Sequence, residues 1–205
     1  MTENLLIYLA VFLSVLFIST ALHEMMHAYV ALRLGDDLAY SHGRITLNPL
    51  KHIDPYLTLL LPTIMILLHL PPILAAKPVP INPNRVSGRE MGMALIGIAG
   101  PLTNLLLAIF VSGILRYTNL NGFTYDYLYL FLSVNVSLFV FNMIPFPPLD
   151  GSRLLYAFAP EPVKRVMEQI EAFGIMGVVL FITVLSTVIG PIIVSVHTSI
   201  MQFLL

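Results

Sequence analysis

The chain has 205 residues, is 58% hydrophobic and 10% charged, and carries a formal net charge of −1 with a mean hydropathy of +0.89. A charged fraction far below the roughly 25% of soluble domains excludes a globule that faces water on all sides, and no basic tract points to nucleic acid. The absence of cysteine excludes disulfides and thiolate metal ligands.

Residues 4–34 form one long apolar segment, about 45 Å as a helix at 1.5 Å per residue, ended by Gly35-Asp36-Asp37. Its start lacks the basic region and cleavage site of a signal peptide, so it is read as a membrane helix. Residues 38–54 mix β-branched and polar residues with Gly and Pro and predict a strand or hairpin. Residues 55–75 are apolar but broken by Pro62, Pro71 and Pro72, which favours a re-entrant dip over a full crossing. A polar, proline-rich stretch with a second possible strand follows to residue 90. Further membrane segments are predicted over 91–117, 125–144 and 173–189. Residues 151–172 read as a solvated surface with a short helix, and 191–205 as an apolar tail lying in the interface or forming a partial helix.

The expected fold is therefore an all-α polytopic membrane protein. It has about four membrane-spanning helices, a re-entrant segment and a short β element, in one membrane-embedded domain over 1–205. If 55–75 dips and returns, nine of the ten lysines and arginines fall on the side where the first helix ends. By the positive-inside rule that side is cytoplasmic.

Within the first apolar segment stands His23-Glu24-Met25-Met26-His27. Residues four apart share a helix face, so both imidazoles can reach one metal, with Glu24 beside them to take a proton from water held there. Chance occurrence is the bland alternative. Against it, three ionisable groups at membrane depth are costly unless they serve a function. A catalytic zinc needs a third protein ligand. Asp150, in Pro147-Pro148-Leu149-Asp150-Gly151, is the candidate, with capping of the following helix as the competing role.

These blocks, together with Gly100-Pro101-Leu102-Thr103-Asn104 and Asn142-x-x-Pro145, resemble the site-2 protease family of intramembrane zinc metalloproteases. The blocks occur in the family's order and span roughly residues 10 to 155. The resemblance implies one Zn2+ per chain held by His23, His27 and Asp150, with Glu24 as the catalytic base. It implies transmembrane protein substrates within the lipid bilayer; a prokaryotic cell membrane is the expected location, and the topology and basic-residue placement put the active site nearer the cytoplasm. It also places Asn104 and Asn142 near the site, as contacts to the oxyanion or substrate backbone or as helix–helix hydrogen bonds. Many members carry a PDZ or other soluble module. No loop here is long enough for one, which points to the small branch.

A strand edge could hold an unwound substrate by β-addition. Residues 41–47 are the better edge, because Pro78 and Pro80 lack donors in 77–82. His42 and His52 read as exposed loop groups, His69 as interfacial, and His197 as having no evident partner. The competing function is a metal transporter or a membrane zinc-binding pseudoenzyme. A single cluster at one depth beside a base favours the protease.

Overall fold

The computed structural model describes residues 2–52, 54, 60, 67 and 77–205. Unbroken apolar sequence produces its long helices, since a backbone in lipid must satisfy its own hydrogen bonds. Helix α1 covers Thr2–Arg33, α2 Leu38–Ser41, α3 Arg89–Tyr117, α4 Gly122–Asn142, α5 Gly151–Phe158, α6 Glu161–Ala172 and α7 Ile175–Leu204. Three of these, over Ile7–Arg33, Arg89–Tyr117 and Gly122–Asn142, are long and apolar enough to cross a membrane.

Helices α1, α3, α4 and α7 pack around one apolar cluster, in which Val15, Val111, Leu132, Val136 and Leu204 meet. The tail does not form a separate element. Residues 191–205 continue the helix that begins at Ile175, and Ser112 of α3 donates to the Leu204 carbonyl at 2.8 Å. A second, smaller cluster of Ala31, Val86 and Ile96 closes the other end of α1 and α3.

The connection from α1 to α3 leaves and returns at the same end of the bundle. The Ser87 amide donates to the Leu34 carbonyl at 2.7 Å, and the Asn82 amide donates to Asp36 Oδ2 at 2.6 Å. The re-entrant segment expected over 55–75, and His69 within it, fall outside the described residues apart from the isolated positions 60 and 67.

The expected β element is not found among the described residues. Residues 38–41 form a helical turn, 49–51 form a 3-10 turn, and the better edge at 41–47 consists of turns and bends. Side chains replace the strand ladder. Asp36, fully buried, accepts from the Leu38 and Asn82 amides, and Arg44, 3% exposed, donates to the carbonyls of Lys51, Lys77 and Pro78. These bonds tether 77–82 to the stretch between Asp36 and Lys51 without a strand ladder among the described residues.

Two histidine expectations also change. His52 is buried and bonds to the Thr46 carbonyl, because it lies under the same clasp. His197 faces α4, 3.3 Å from the Ser133 carbonyl.

The stretch after α4 is amphipathic rather than wholly solvated. Lys164 reaches back to both Glu90 oxygens at 2.7 Å, Arg153 pairs with Glu171, and Tyr156 donates to Glu168 at 2.5 Å. These contacts tie α5 and α6 to the start of α3, and α5 carries the site's last residue at its head.

Candidate metal centre

His23 and His27 follow from the helical repeat of α1. Both project from one face between the two apolar clusters, and each is 6% exposed. Their outer ring nitrogens are engaged. His27 Nδ1 donates to the Ile96 carbonyl at 2.7 Å, and His23 Nδ1 donates to Asn104 Oδ1 at 2.6 Å. A backbone carbonyl only accepts, so His27 Nδ1 carries a proton, and in the neutral imidazole Nε2 presents a lone pair.

Asp150 comes from the turn after α4, at the head of α5. It stands at the N-cap position, yet its side chain makes no capping bond. Its Oδ2 lies 3.0 Å from His23 Nε2 and 3.3 Å from His27 Nε2, and the two Nε2 atoms are 3.0 Å apart. Among the described residues, these three are the ones grouped so as to hold a metal ion.

With both imidazoles neutral and protonated at Nδ1, two lone pairs and a carboxylate converge with no proton among them. Such a set repels itself unless a cation sits within it. A tetrahedral zinc with bonds of about 2.0–2.1 Å sets its ligand atoms about 3.3 Å apart, close to the observed triangle. The donor set fits a zinc ion.

Helix α3 forms the third wall, and its small residues allow it. A Cβ at Gly100 would stand 2.6 Å from His23 Nε2 and press on His27 Nε2. A Cβ at Gly97, one turn earlier, would come 2.9 Å from the Asp150 carbonyl oxygen. The glycines let the α3 backbone lie against the imidazoles and the Asp150 turn.

Glu24 is half-buried and makes no hydrogen bond or ion pair among the described residues. Burial lowers the Arg44 guanidinium from its ordinary value while the Glu24 carboxylate opposes the shift, so the two charges lie within electrostatic reach.

The two asparagines separate. Asn104 has no exposed surface and lies behind His23, away from the converging Nε2 atoms. Asn142 is half-buried and donates to the Leu138 carbonyl of its own helix. The sequence reading passed over Asn135 and Ser19, both fully buried and bonded to each other at 2.9 Å. A lone amide inside the apolar α4 was the available signal.

Comparison with known proteins gives the family. Over 202 residues the chain is 35% identical to "Putative zinc metalloprotease YwhC" of Bacillus subtilis (strain 168), covering 91% of this chain and 87% of that protein. The chain belongs to peptidase family M50. The model of this family, the site-2 protease family, matches residues 117–186, which include Asp150. A second relative, "Putative zinc metalloprotease Rip2" of Mycolicibacterium smegmatis (strain ATCC 700084 / mc(2)155), is 29% identical over 85% of this chain and 68% of its own length. "Zinc metalloprotease MJ0392" of Methanocaldococcus jannaschii is 29% identical over 74% of this chain, which spans 35% of that longer protein. No solved structure matches the chain significantly. The family model covers the Asp150 turn, and the similarity to YwhC extends over 91% of the chain.

Proposed function

We propose that this M50 chain is an intramembrane zinc endopeptidase that hydrolyses peptide bonds in or near the transmembrane segments of membrane proteins. The observation that carries this reading is the convergence of His23, His27 and Asp150 within 3.3 Å between membrane-length helices, with Glu24 beside them. His23, His27 and Asp150 would hold the metal, and Glu24 is the base. When bound, zinc supplies a Lewis acid that polarises the scissile carbonyl and lowers the pKa of water.

Glu24 takes a proton from the attacking water and delivers it to the leaving amine nitrogen. Its carboxylate has no competing partner among the described residues and is free for both transfers. Asn104 is engaged with His23, so Asn142 is the asparagine left to contact the oxyanion or the substrate backbone.

An unwound substrate needs an extended template. The tethered segment 77–82 takes that role in place of 41–47. Its Val79 and Ile81 amides make no bond among the described residues, and in an extended chain they share an edge.

The chain forms a single domain in which α7 is a fourth membrane span, with the connection between α1 and α3 leaving and returning on the cytoplasmic side. The return of that connection to the Leu34 end supports this topology, as does the placement of nine of the ten basic residues there. The domain is that of an integral protein of a prokaryotic cell membrane.

Purified protein in detergent, offered a panel of transmembrane peptides, tests the reading. Cleavage is expected, with a loss of about 10²–10⁴-fold in Glu24→Gln, the usual contribution of a general base, and zinc content unchanged. Cleavage retained in Glu24→Gln refutes the base assignment. Zinc bound with no peptide cut favours a zinc-binding pseudoenzyme.

A further inference from the structure

Behind His23 runs a chain of buried amides that the hydrolytic reading does not use. Ser19, Asn104 and Asn135 come from α1, α3 and α4, and none has exposed surface. Asn135 Nδ2 donates to the Phe131 carbonyl at 2.8 Å and to Ser19 Oγ at 2.9 Å. Asn104 Nδ2 donates to Asn135 Oδ1 at 2.9 Å, and Asn104 Oδ1 faces His23 Nδ1 at 2.6 Å.

The direction of this chain is set at its far end, and a longer bond of 3.4 Å from Asn104 Nδ2 to the Ser19 carbonyl points the same way. The Phe131 carbonyl only accepts, so it fixes which end of the Asn135 amide is nitrogen. Asn135 Oδ1 must then face Asn104 and accept. Asn104 must present Nδ2 to it, which turns Asn104 Oδ1 to the ring. His23 Nδ1 therefore carries a proton, and in the neutral ring Nε2 is left with a lone pair toward Asp150.

A competing tautomer is close at hand. Asp150 Oδ2 lies 3.0 Å from His23 Nε2 and would accept a proton from it. An imidazole protonated at Nε2 cannot ligate through that atom. If Asn104 turned its amide over, Nδ2 would face Nδ1 and favour that non-ligating form.

We infer that Asn135 is a positioning residue of the metal centre: through Asn104 it holds His23 in the tautomer whose Nε2 faces Asp150. The inference rests on the reading of His23, His27 and Asp150 as metal ligands. It concerns a residue two hydrogen bonds from the ring. Partners beyond the ligands themselves typically alter metal affinity by about 10–100-fold, which sets the expected size.

The test is zinc affinity of the full chain in detergent, measured by chelator competition. Nitrogen-15-labelled histidine spectra of the metal-free protein, taken in mildly alkaline buffer, report the tautomer. Asn135→Leu is expected to weaken zinc binding about 10–100-fold and to move His23 toward the Nε2–H form. Asn135→Ala serves the same purpose if the leucine variant does not fold. Asn135→Asp, neutral when buried and protonated, keeps a donor for Phe131 and an acceptor for Asn104, and should bind zinc as the wild type does.

Two controls separate positioning from packing. Ser112→Ala removes a buried interhelical bond remote from the ring and should leave affinity unchanged. In an Asn104→Asp background the carboxylate accepts from His23 either way round, so Asn135→Leu should then cost less than about twofold, against 10–100-fold in the native background. Equal losses in both backgrounds, or a leucine variant with native affinity and an unchanged His23 spectrum, overturn the inference while leaving the metal site standing. A wild type that binds no zinc overturns the metal reading and the inference with it.

Discussion

Asp150 occupies the N-cap position of α5, but its carboxylate turns away from the helix and stands 3.0 Å from His23 Nε2. The two residues are 127 apart in sequence and lie on elements of opposite character: His23 is deep in a membrane-length helix, and Asp150 follows a proline-rich turn containing a cis Pro147–Pro148 bond. What brings them together is the return of the chain between α1 and α3 to the end of the bundle from which it left.

Gly100→Ala tests the third wall. The added methyl would stand 2.6 Å from His23 Nε2, within the space that a shared cation would occupy. The variant should keep its helical circular dichroism but lose zinc, with affinity falling at least 100-fold, the upper end of about 10–100-fold typical for groups outside the ligand set. Chelator competition measures this. Native zinc affinity in Gly100→Ala would mean that α3 is not packed on the imidazoles as described.

The candidate site was legible in two ways, the histidine pair from local spacing and Asp150, 127 residues on, through the family resemblance. A helical repeat of four suffices to pair His23 with His27, and an acid before glycine after an apolar segment marked Asp150. The β element was not legible. Residues 41–47 have strand composition, but the buried charges of Asp36 and Arg44 draw the neighbouring backbone groups to themselves, and no ladder forms among the described residues. Asn135 escaped notice because an isolated amide shows no spacing pattern. Its importance appears only when α1, α3 and α4 are packed. The apolar tail was split from the preceding helix at Pro191, which lies inside the continuous α7 instead.

The Asp36 clasp yields a stability prediction. Asp36 is fully buried and takes amide protons from Leu38 and Asn82, charge-assisted bonds worth about 1.5–3 kcal/mol each. Asp36→Ala should loosen the exposed turn over 83–85. Trypsin cleavage after Arg85 should then be on the order of tenfold faster, the equivalent of about 1.4 kcal/mol of local opening. An unchanged cleavage rate would show that the remaining ties, among them Arg44 to the Lys77 and Pro78 carbonyls and Ser87 to Leu34, hold the segment.

Tyr156 gives a pH signature. Its hydroxyl donates to Glu168, which holds its pKa up to about 12 against an ordinary value of 10.0. A pKa raised in the folded state contributes stability that is fully present below pH 10 and is lost as pH climbs toward 12. The α5–α6 pairing should therefore weaken across that window. In an ultraviolet tyrosine titration one phenol should ionise late, and Tyr156→Phe should remove that last step. A late step that survives in Tyr156→Phe would assign it elsewhere.

The central claim is that one metal is held jointly by the α1 histidines and an acid from the far side of α4. Zinc content per chain, measured side by side on purified wild type and Asp150→Ala after dialysis against a weak chelator, tests it most directly. One zinc per chain in the wild type and none in Asp150→Ala, both with native helical content, is the predicted result. Zinc retained at full occupancy in Asp150→Ala would contradict it.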